Sequence, residues 1–285
     1  MFDESSYIPP VSPAPMRLSR KAYGSLWLLD QYKELVAAIR FLSTVPIPGS
    51  VQLFQTESAT PRLILGSAYF PLVGLLLALL LSIVPFALGS YVPQLVLAAL
   101  LVIVQVFLTG GLHLDGLMDT CDGIFGGVGR ERKLEIMRDS RVGSFGVLGG
   151  VCLLLLKFAI FASLDLHLLS WALLTILPVS RWAMVMAVRQ FPCARPAGLG
   201  AAFRQTVSLR RLLVAALFSL VVALLLAHVV GLVLWISGTL VAVLIGIWAT
   251  HHLGGLTGDI YGTIAEITEV TMLVIFTVIK VKLHY

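Results

Sequence analysis

The chain reads as a succession of long apolar runs separated by short polar connections. The runs cover Tyr69 to Leu88, Gln94 to Leu108, Phe145 to Leu164, Leu168 to Val188, Leu212 to Val230, Gly231 to Ala249 and Glu269 to Val281. Most are about 16 to 22 residues long, too long for core strands and just long enough, as helices, to cross a hydrocarbon layer of about 30 Å. They are solidly apolar and lack the period-two alternation of membrane strands, so a helical bundle is predicted rather than a barrel. Residues 26 to 45 differ. Asp30, Lys33, Glu34 and Arg40 punctuate their apolar positions and the stretch stops at Pro46 and Pro48, which predicts an amphipathic helix at the membrane interface. The second and seventh runs are short, the junction near Gly231 is tight, and the seventh run could be re-entrant rather than spanning. The fold expected is all-α, a polytopic transmembrane bundle of about six to seven spans.

The N-terminal MFDESSYIPPVSPAP is acidic and proline-rich and has no basic stretch leading into an apolar one. It is therefore not read as a secretory signal but as disordered. The expected organisation is a disordered leader over 1–25 and a single integral membrane catalytic domain over 26–285.

Composition agrees with this picture. Of 285 residues, 58% are hydrophobic and only 12% charged, about half the charge of an ordinary soluble domain. The net charge of +5 would suggest nucleic acid in a soluble protein. Here Lys and Arg gather in alternate connections, so the basicity is read as topology and no nucleic-acid partner is expected. With the basic N-terminal segment in the cytoplasm, the connections 109–144, 189–211 and 250–268 also fall inside, the first carrying Arg130, Arg132, Lys133, Arg138 and Arg141. The outer connections carry no Lys or Arg until Lys280 and Lys282, which would face outward if the seventh run spans. Cys121, Cys152 and Cys193 lack metal-site spacing and are read as free thiols.

Candidate chemistry concentrates in residues 110 to 146. Asp115, Asp119 and Asp122 stand at i, i+4 and i+7, on one face of a helix, with His113 nearby. Like charges at that spacing repel, and a hard divalent cation such as Mg²⁺ is the usual compensation, since it takes carboxylate oxygens and bridges to phosphate. The plainer reading is a solvated acidic face, against which stand the surrounding Leu, Met, Ile and Phe. Glu135, Arg138, Asp139 and Arg141 follow in a charged segment that is either a salt-bridged surface or a source of planar donors for phosphate. Glycines at 123 to 129 and 143 to 146 would let backbone approach a ligand closely. Residues 251 to 270 hold paired histidines, glycines, Asp259, Glu266 and Glu269, and read as a second acidic loop completing one site, or as an ordinary connection. Lys157 and Arg181 lie within spans and need partners. Arg181 either reaches a substrate phosphate from the cytoplasmic edge or pairs structurally with an acid. No P-loop, GxSxG, HExxH or CxxC pattern is present.

LHLDGLMDTCDGIFGG followed by LEIMRDSRVGSFGV closely resembles the cobalamin synthase family, the adenosylcobinamide-GDP ribazoletransferases. The likeness extends to RFLSTVPIP at 40–48, FPLVGLLL at 70–77, SRWAM at 180–184 and LGGLTGDIYG at 253–262, and so covers nearly everything from about Leu35 onward. Cys121 stands where the family commonly has alanine, a departure that removes no carboxylate. The resemblance implies that the 3′-hydroxyl of α-ribazole, or of its 5′-phosphate, attacks the cobinamide-side phosphorus of adenosylcobinamide-GDP and expels GMP, with Mg²⁺ required. It also implies a multi-pass protein of the bacterial inner membrane, and leaves room for other cobalamin-assembly enzymes as partners. In such a reaction Asp115, Asp119 and Asp122 are expected to hold Mg²⁺, Arg138, Asp139, Arg141 and Arg181 to line the phosphate site, and Asp259 or His113 to orient or deprotonate the ribose hydroxyl. Two other readings remain open here. A phospholipid synthase of the CDP-alcohol phosphotransferase type is similar in logic, but its pattern is absent because Ala and Arg do not follow Asp115-Gly116. A transporter would place its acids at the membrane midplane.

Overall fold

A computed structural model of the chain describes residues 20–50, 65–196 and 199–282. Most of the leader expected over 1–25 lies outside the described residues. The chain divides into two compact units, 1–32 and 33–285. Within the first, the described residues form the opening of helix α1 (Arg20–Leu42), where Trp27, Leu28, Leu29 and Tyr32 are exposed.

The second unit is helical. A short 3₁₀ turn leads into α2 (Phe70–Leu88), followed by α3 (Gln94–Thr109), α4 (Leu112–Gly126), α5 (Arg130–Ile136), α6 (Ser144–Ser163), α7 (Leu166–Gln190), α8 (Leu199–Thr206), α9 (Leu209–Leu253) and α10 (Gly258–Lys282). No strand occurs among the described residues, where the one β-type pairing is an isolated bridge between Cys193 and Leu256. Five helices, α2, α6, α7, α9 and α10, are long and apolar enough to cross a membrane, and the bent pair α3 and α4 passes the same test together.

α9 spans two of the expected runs. Its backbone leaves helical geometry at His228 (φ 46°, ψ −123°) and the chain doubles back there. Gly231 lies against the Ala223 backbone, and the Trp235 indole donates to Ser219 Oγ at 3.0 Å. Small residues on both limbs, Ala215, Ser219 and Ala223 on the first and Gly231, Gly238 and Ala242 on the second, are buried, Gly231 at the contact between the limbs and Gly238 against Val179, Thr268 and Met272, the close approach that small residues allow between membrane helices. Leu217, Leu225, Leu240 and Leu244 point outward, as lipid-facing positions do. The tight junction near Gly231 is thus a helical hairpin.

α7 forms the centre. Residues 172–188 of this helix are almost all buried, and its neighbours include α2, α9 and α10. Two expectations need correction here. The last run begins well before Glu269: α10 starts at Gly258 and runs 25 residues, so it is long enough to cross and is no re-entrant segment. The second acidic loop shrinks accordingly, because α9 continues to Leu253 and only residues 254–257 connect it to α10. Asp259, Glu266 and Glu269 therefore sit on a helix, where i, i+3 and i+7 positions share a face.

The connections that the charge pattern groups together meet at one end of this unit. Thr44 N–H donates to Leu108 O at 2.8 Å and Leu256 N–H to Pro192 O at 2.8 Å. Arg130 Nε donates to Leu253 O at 2.8 Å and Arg195 Nη2 to Leu134 O at 2.8 Å, while Arg211 pairs with Glu34. At the opposite end Gln94 closes α3 onto the end of α6 through Phe161 O and Leu164 O, at 3.1 and 2.7 Å. Lys280, near the end of α10, lies at that opposite end, as a spanning last helix requires.

Candidate active site

α4 is positioned by a sharp turn. Gly110 and Gly111 both adopt left-handed backbone, φ 61° and 70°, a conformation only glycine takes without strain, and α4 leaves α3 at 90°. It then lies across the first turns of α6 and α10 instead of continuing the span. The crossing with α10 is a backbone contact. A Cβ on Gly116 would fall 2.8 Å from Asp259 O, and one on Gly262 would fall 2.9 Å from His113 O, so the two glycines face each other's helices and neither tolerates a side chain. This contact sets Asp115 and His113 of α4 beside Asp259 of α10 on the wall of one cavity of about 120 Å³.

The electrostatics of the cavity are those of crowded anions. The Asp119 carboxyl is pushed up to about 7, first by burial, then by Asp115, Asp259 and Asp122. Three carboxylates from two helices thus share a space that favours either a proton or a cation. His113 is buried, and burial together with the Arg181 and Lys157 cations holds its imidazole well below the ordinary range, so it is neutral at physiological pH. The remaining wall is aromatic. Phe41 stacks on Phe70 with centroids 5.8 Å apart, and Phe203 of α8 meets Phe70 at 5.2 Å and Tyr261 at 5.8 Å. Phe41, Phe203, Tyr261 and Met184 all line the cavity, giving an apolar face opposite the acidic one.

Four sequence-predicted residues are placed elsewhere. Asp122 turns away from the cavity: its Oδ2 accepts the Gly143 N–H and its Oδ1 the Gly146 N–H, both at 2.7 Å. It caps the N-terminus of α6, where free amides and the helix dipole favour an anion. Glycines are needed at 143 and 146 because a Cβ at either would fall 2.3 Å from an Asp122 oxygen; what these glycines admit is Asp122, not a ligand. Arg141 and Asp139 pair with each other, Nε to Oδ1 at 3.0 Å and Nη2 to Oδ2 at 2.6 Å, and the arginine holds the Asp139 carboxyl down to about 2. Since the Arg141 side chain is 88% exposed, the pair belongs to the surface. Arg181 is 1% exposed, with Nη1 on Ser180 Oγ at 2.9 Å, and its acidic neighbours are Glu269 and Glu266. These glutamates attract the guanidinium without bonding to it, and its Nε has no hydrogen-bond partner among the described residues.

Arg138 does not line the cavity. It is exposed and close enough to Arg195 for the two cations to repel, while Asp259 attracts Arg195. Arg195 carries a buried Nε with no hydrogen-bond partner among the described residues. Sequence reasoning counts Arg195 only as topological charge; its place in PCARPAG, between helices α7 and α8 and among prolines, is the signal that a fixed cation stands there. Phe203 and Tyr261 give no signal in sequence, because aromatic residues are ordinary in such runs. His251 and His252 are exposed and meet edge to face with centroids 4.8 Å apart, away from the cavity lining.

Comparison with known proteins now decides the family. The family model described as cobalamin-5-phosphate synthase matches residues 34–277, nearly the whole of the second unit. The chain belongs to the cobalamin-5-phosphate synthase family. Its relatives include the adenosylcobinamide-GDP ribazoletransferases of Roseiflexus sp. (strain RS-1), 40% identical across 91% of this chain and 94% of the relative, and of Desulfitobacterium hafniense (strain Y51), 37% identical across 86% and 96%. That of Thermosynechococcus vestitus (strain NIES-2133 / IAM M-273 / BP-1) is 38% identical across 89% and 98%. No solved structure matches. Membership gives the polytopic helical fold its context, and the matched region contains every residue of the cavity described above.

The placement of Asp122 in this cobalamin-5-phosphate synthase family member carries a prediction. Asp122→Asn removes one charge-assisted acceptor from the α6 N-terminus and is expected to lower stability by about 1.5–3 kcal/mol, read as a lower unfolding temperature in detergent. The divalent-cation concentration giving half-maximal activity should not move.

Proposed function

We propose that this chain is an adenosylcobinamide-GDP ribazoletransferase. It transfers the adenosylcobinamide phosphate from adenosylcobinamide-GDP to the 3′-hydroxyl of α-ribazole or its 5′-phosphate, releasing GMP and forming adenosylcobalamin or its phosphate. The observation that carries this reading is the meeting of Asp115 on α4 and Asp259 on α10 at one cavity with an aromatic wall, with Asp119 close enough for both to raise its carboxyl.

The residues present fit Mg²⁺ shared with substrate. Among the described residues no three His, Cys, Asp or Glu side chains stand close enough to hold a metal by themselves, whereas Mg²⁺ is ordinarily held by one or two carboxylates together with substrate phosphate. The rise of Asp119 to about 7 supports such a site, because a cation would relieve the crowding. Asp115 and Asp119, with Asp259 across from them, would hold Mg²⁺, which when bound neutralises developing charge on the diphosphate. Phosphoryl transfer asks the protein chiefly to position and neutralise. Arg138 and Arg195 offer planar donors to the diphosphate oxygens. The aromatic wall offers a stacking surface to a flat base. Asp259, whose carboxyl burial raises, accepts the proton of the attacking hydroxyl, and the neutral, buried His113 orients that hydroxyl.

The active face is assigned to the cytoplasm of a bacterial inner membrane, on the strength of Lys and Arg at the connections of that end. Enzymes supplying the two substrates would meet the protein there. Arg195→Lys and Arg138→Lys are each expected to lower turnover or raise the KM for adenosylcobinamide-GDP by about one to two decades, since Lys cannot reproduce a bidentate contact, with the KM for α-ribazole nearly constant. Arg141→Lys is expected to change neither. The function itself is tested with detergent-purified protein, adenosylcobinamide-GDP, α-ribazole and Mg²⁺. Equal amounts of GMP and cobalamin are expected, both dependent on α-ribazole; GMP formed without α-ribazole, or no GMP at all, would overturn the reading.

A further inference from the structure

The end of the bundle opposite the acidic site has a second, larger cavity that the proposed reaction does not use. It measures about 390 Å³ and lies between the tip of the α9 hairpin and the ends of α7 and α10, with His167, Trp171, His228, Phe276 and Lys280 in its lining. That volume is in the range of small-molecule sites, about 300–1,000 Å³.

Three features of its lining are unusual. Lys280 stands against the charge rule that the rest of the chain obeys. Apart from Lys157 and Arg181 inside the bundle, the described Lys and Arg residues of the second unit belong to the acidic-site end, and only Lys280 and Lys282 lie at the other. Its ammonium sits over the Phe276 ring, 5.7 Å from the centroid, which draws it to the cavity side of α10. His228 is the one non-glycine residue with positive φ among the described residues, a conformation that costs energy in a residue with a side chain, where glycine would turn the hairpin freely. Trp171 donates its indole N–H to His167 Nε2 at 3.0 Å, the behaviour of an amphipathic ring at a membrane–water interface.

We propose that this cavity binds one phospholipid with an anionic headgroup, drawn from the leaflet opposite the acidic site. Its phosphate meets the Lys280 ammonium, with His228 and His167 as hydrogen-bonding groups at the mouth, and its acyl chain enters between the α9 limbs and the end of α7. The occupant follows from chemistry: a cavity at membrane-interface depth with an apolar interior and a cation at its rim is complementary to a molecule that is apolar at one end and anionic at the other. Basic pockets between membrane helices recognise lipid headgroups in this way.

The test uses purified full-length protein, stripped of lipid in detergent and then given equal amounts of phosphatidylglycerol and phosphatidylcholine of the same chains, with retained lipid counted by native mass spectrometry. About one phosphatidylglycerol per chain is expected to survive, with about tenfold preference over phosphatidylcholine. Lys280→Gln is expected to abolish the preference and Lys280→Arg to preserve it. Equal retention of the two lipids by the wild-type protein would overturn the proposal whatever the variants do, and so would a preference that Lys280→Gln leaves intact. Displacement of the lipid by glycerol 3-phosphate at the same concentration would also overturn it, since the site would then read a phosphate and not a lipid.

Discussion

Asp115→Asn, Asp119→Asn and Asp259→Asn are each expected to lower turnover by about two decades or more, while the protein remains folded. Asn keeps the size and the hydrogen-bonding oxygen but removes the hard anionic ligand, and metal stabilisation of phosphoryl charge is worth several kcal/mol. Folding should survive because none of the three carboxylates supports the fold as Asp122 does; Asp115 is exposed and Asp119 and Asp259 are half-buried. Asp119→Asn should even relieve repulsion, so its unfolding temperature in detergent is expected to equal or exceed that of the wild type. The same electrostatics predict a pH dependence with a definite sign. With its carboxyl at about 7 in the metal-free site, Asp119 must lose a proton when a cation binds. The apparent Mg²⁺ affinity should therefore rise as pH increases through 7 and weaken below it, and this slope should disappear in Asp119→Asn. Activity titrations with Mg²⁺ at pH 6, 7 and 8 measure both effects.

The second large effect concerns the buried charges beneath the site. Lys157 of α6 reaches Glu266 at 2.6 Å and Glu269 at 2.8 Å on α10, and Gln105 of α3 donates to Glu269 at 2.6 Å. Three helices are thereby joined by groups that are nearly fully buried. A buried ion pair adds little net stability when complete, but removing one partner strands the other charge at a cost of about 3–5 kcal/mol. Lys157→Met leaves two glutamates against Gln105 and Arg181, so loss of folded protein, or a fall of many degrees in unfolding temperature, is expected. Lys157→Met combined with Glu266→Gln should recover most of that loss, because the one remaining glutamate, Glu269, is then balanced by the buried Arg181 cation. If the single variant were as stable as the wild type, the cluster would not be the fastening described here.

The helical bundle was legible because burial in a bilayer demands long uninterrupted apolar runs, and α2, α6 and α7 leave that signature cleanly. The α9 hairpin was legible in part. Two apolar runs met at Gly231, but the reversal falls at His228, a residue whose type does not announce a turn. The start of α10 was missed because Asp259, Glu266 and Glu269 make its first turns look polar, although their helical spacing puts them on a face turned toward α4, α6 and Arg181 instead of toward lipid. The candidate site divides along the same line. Helical spacing located Asp115 and Asp119 together, and the second acidic stretch supplied Asp259. The same spacing could not show that Asp122, one turn further, points at the amides of α6, since that depends on where the chain goes after Gly129. For the arginines, residue type alone could not tell their surroundings apart: Arg195 lies near Arg138 and Asp259, Arg141 is taken by Asp139, and Arg181 is buried near Glu266 and Glu269.

Most depends on the proposal that the carboxylates of α4 and α10 hold a divalent cation jointly with the substrate diphosphate. Mn²⁺ binding followed by electron paramagnetic resonance on the purified protein tests it. Weak binding by the protein alone is expected, strengthened at least tenfold by adenosylcobinamide-GDP, abolished in Asp115→Asn and Asp259→Asn, and retained in Asp122→Asn. Tight Mn²⁺ binding that ignores the substrate, or that survives in Asp115→Asn and Asp259→Asn and vanishes in Asp122→Asn, would contradict it.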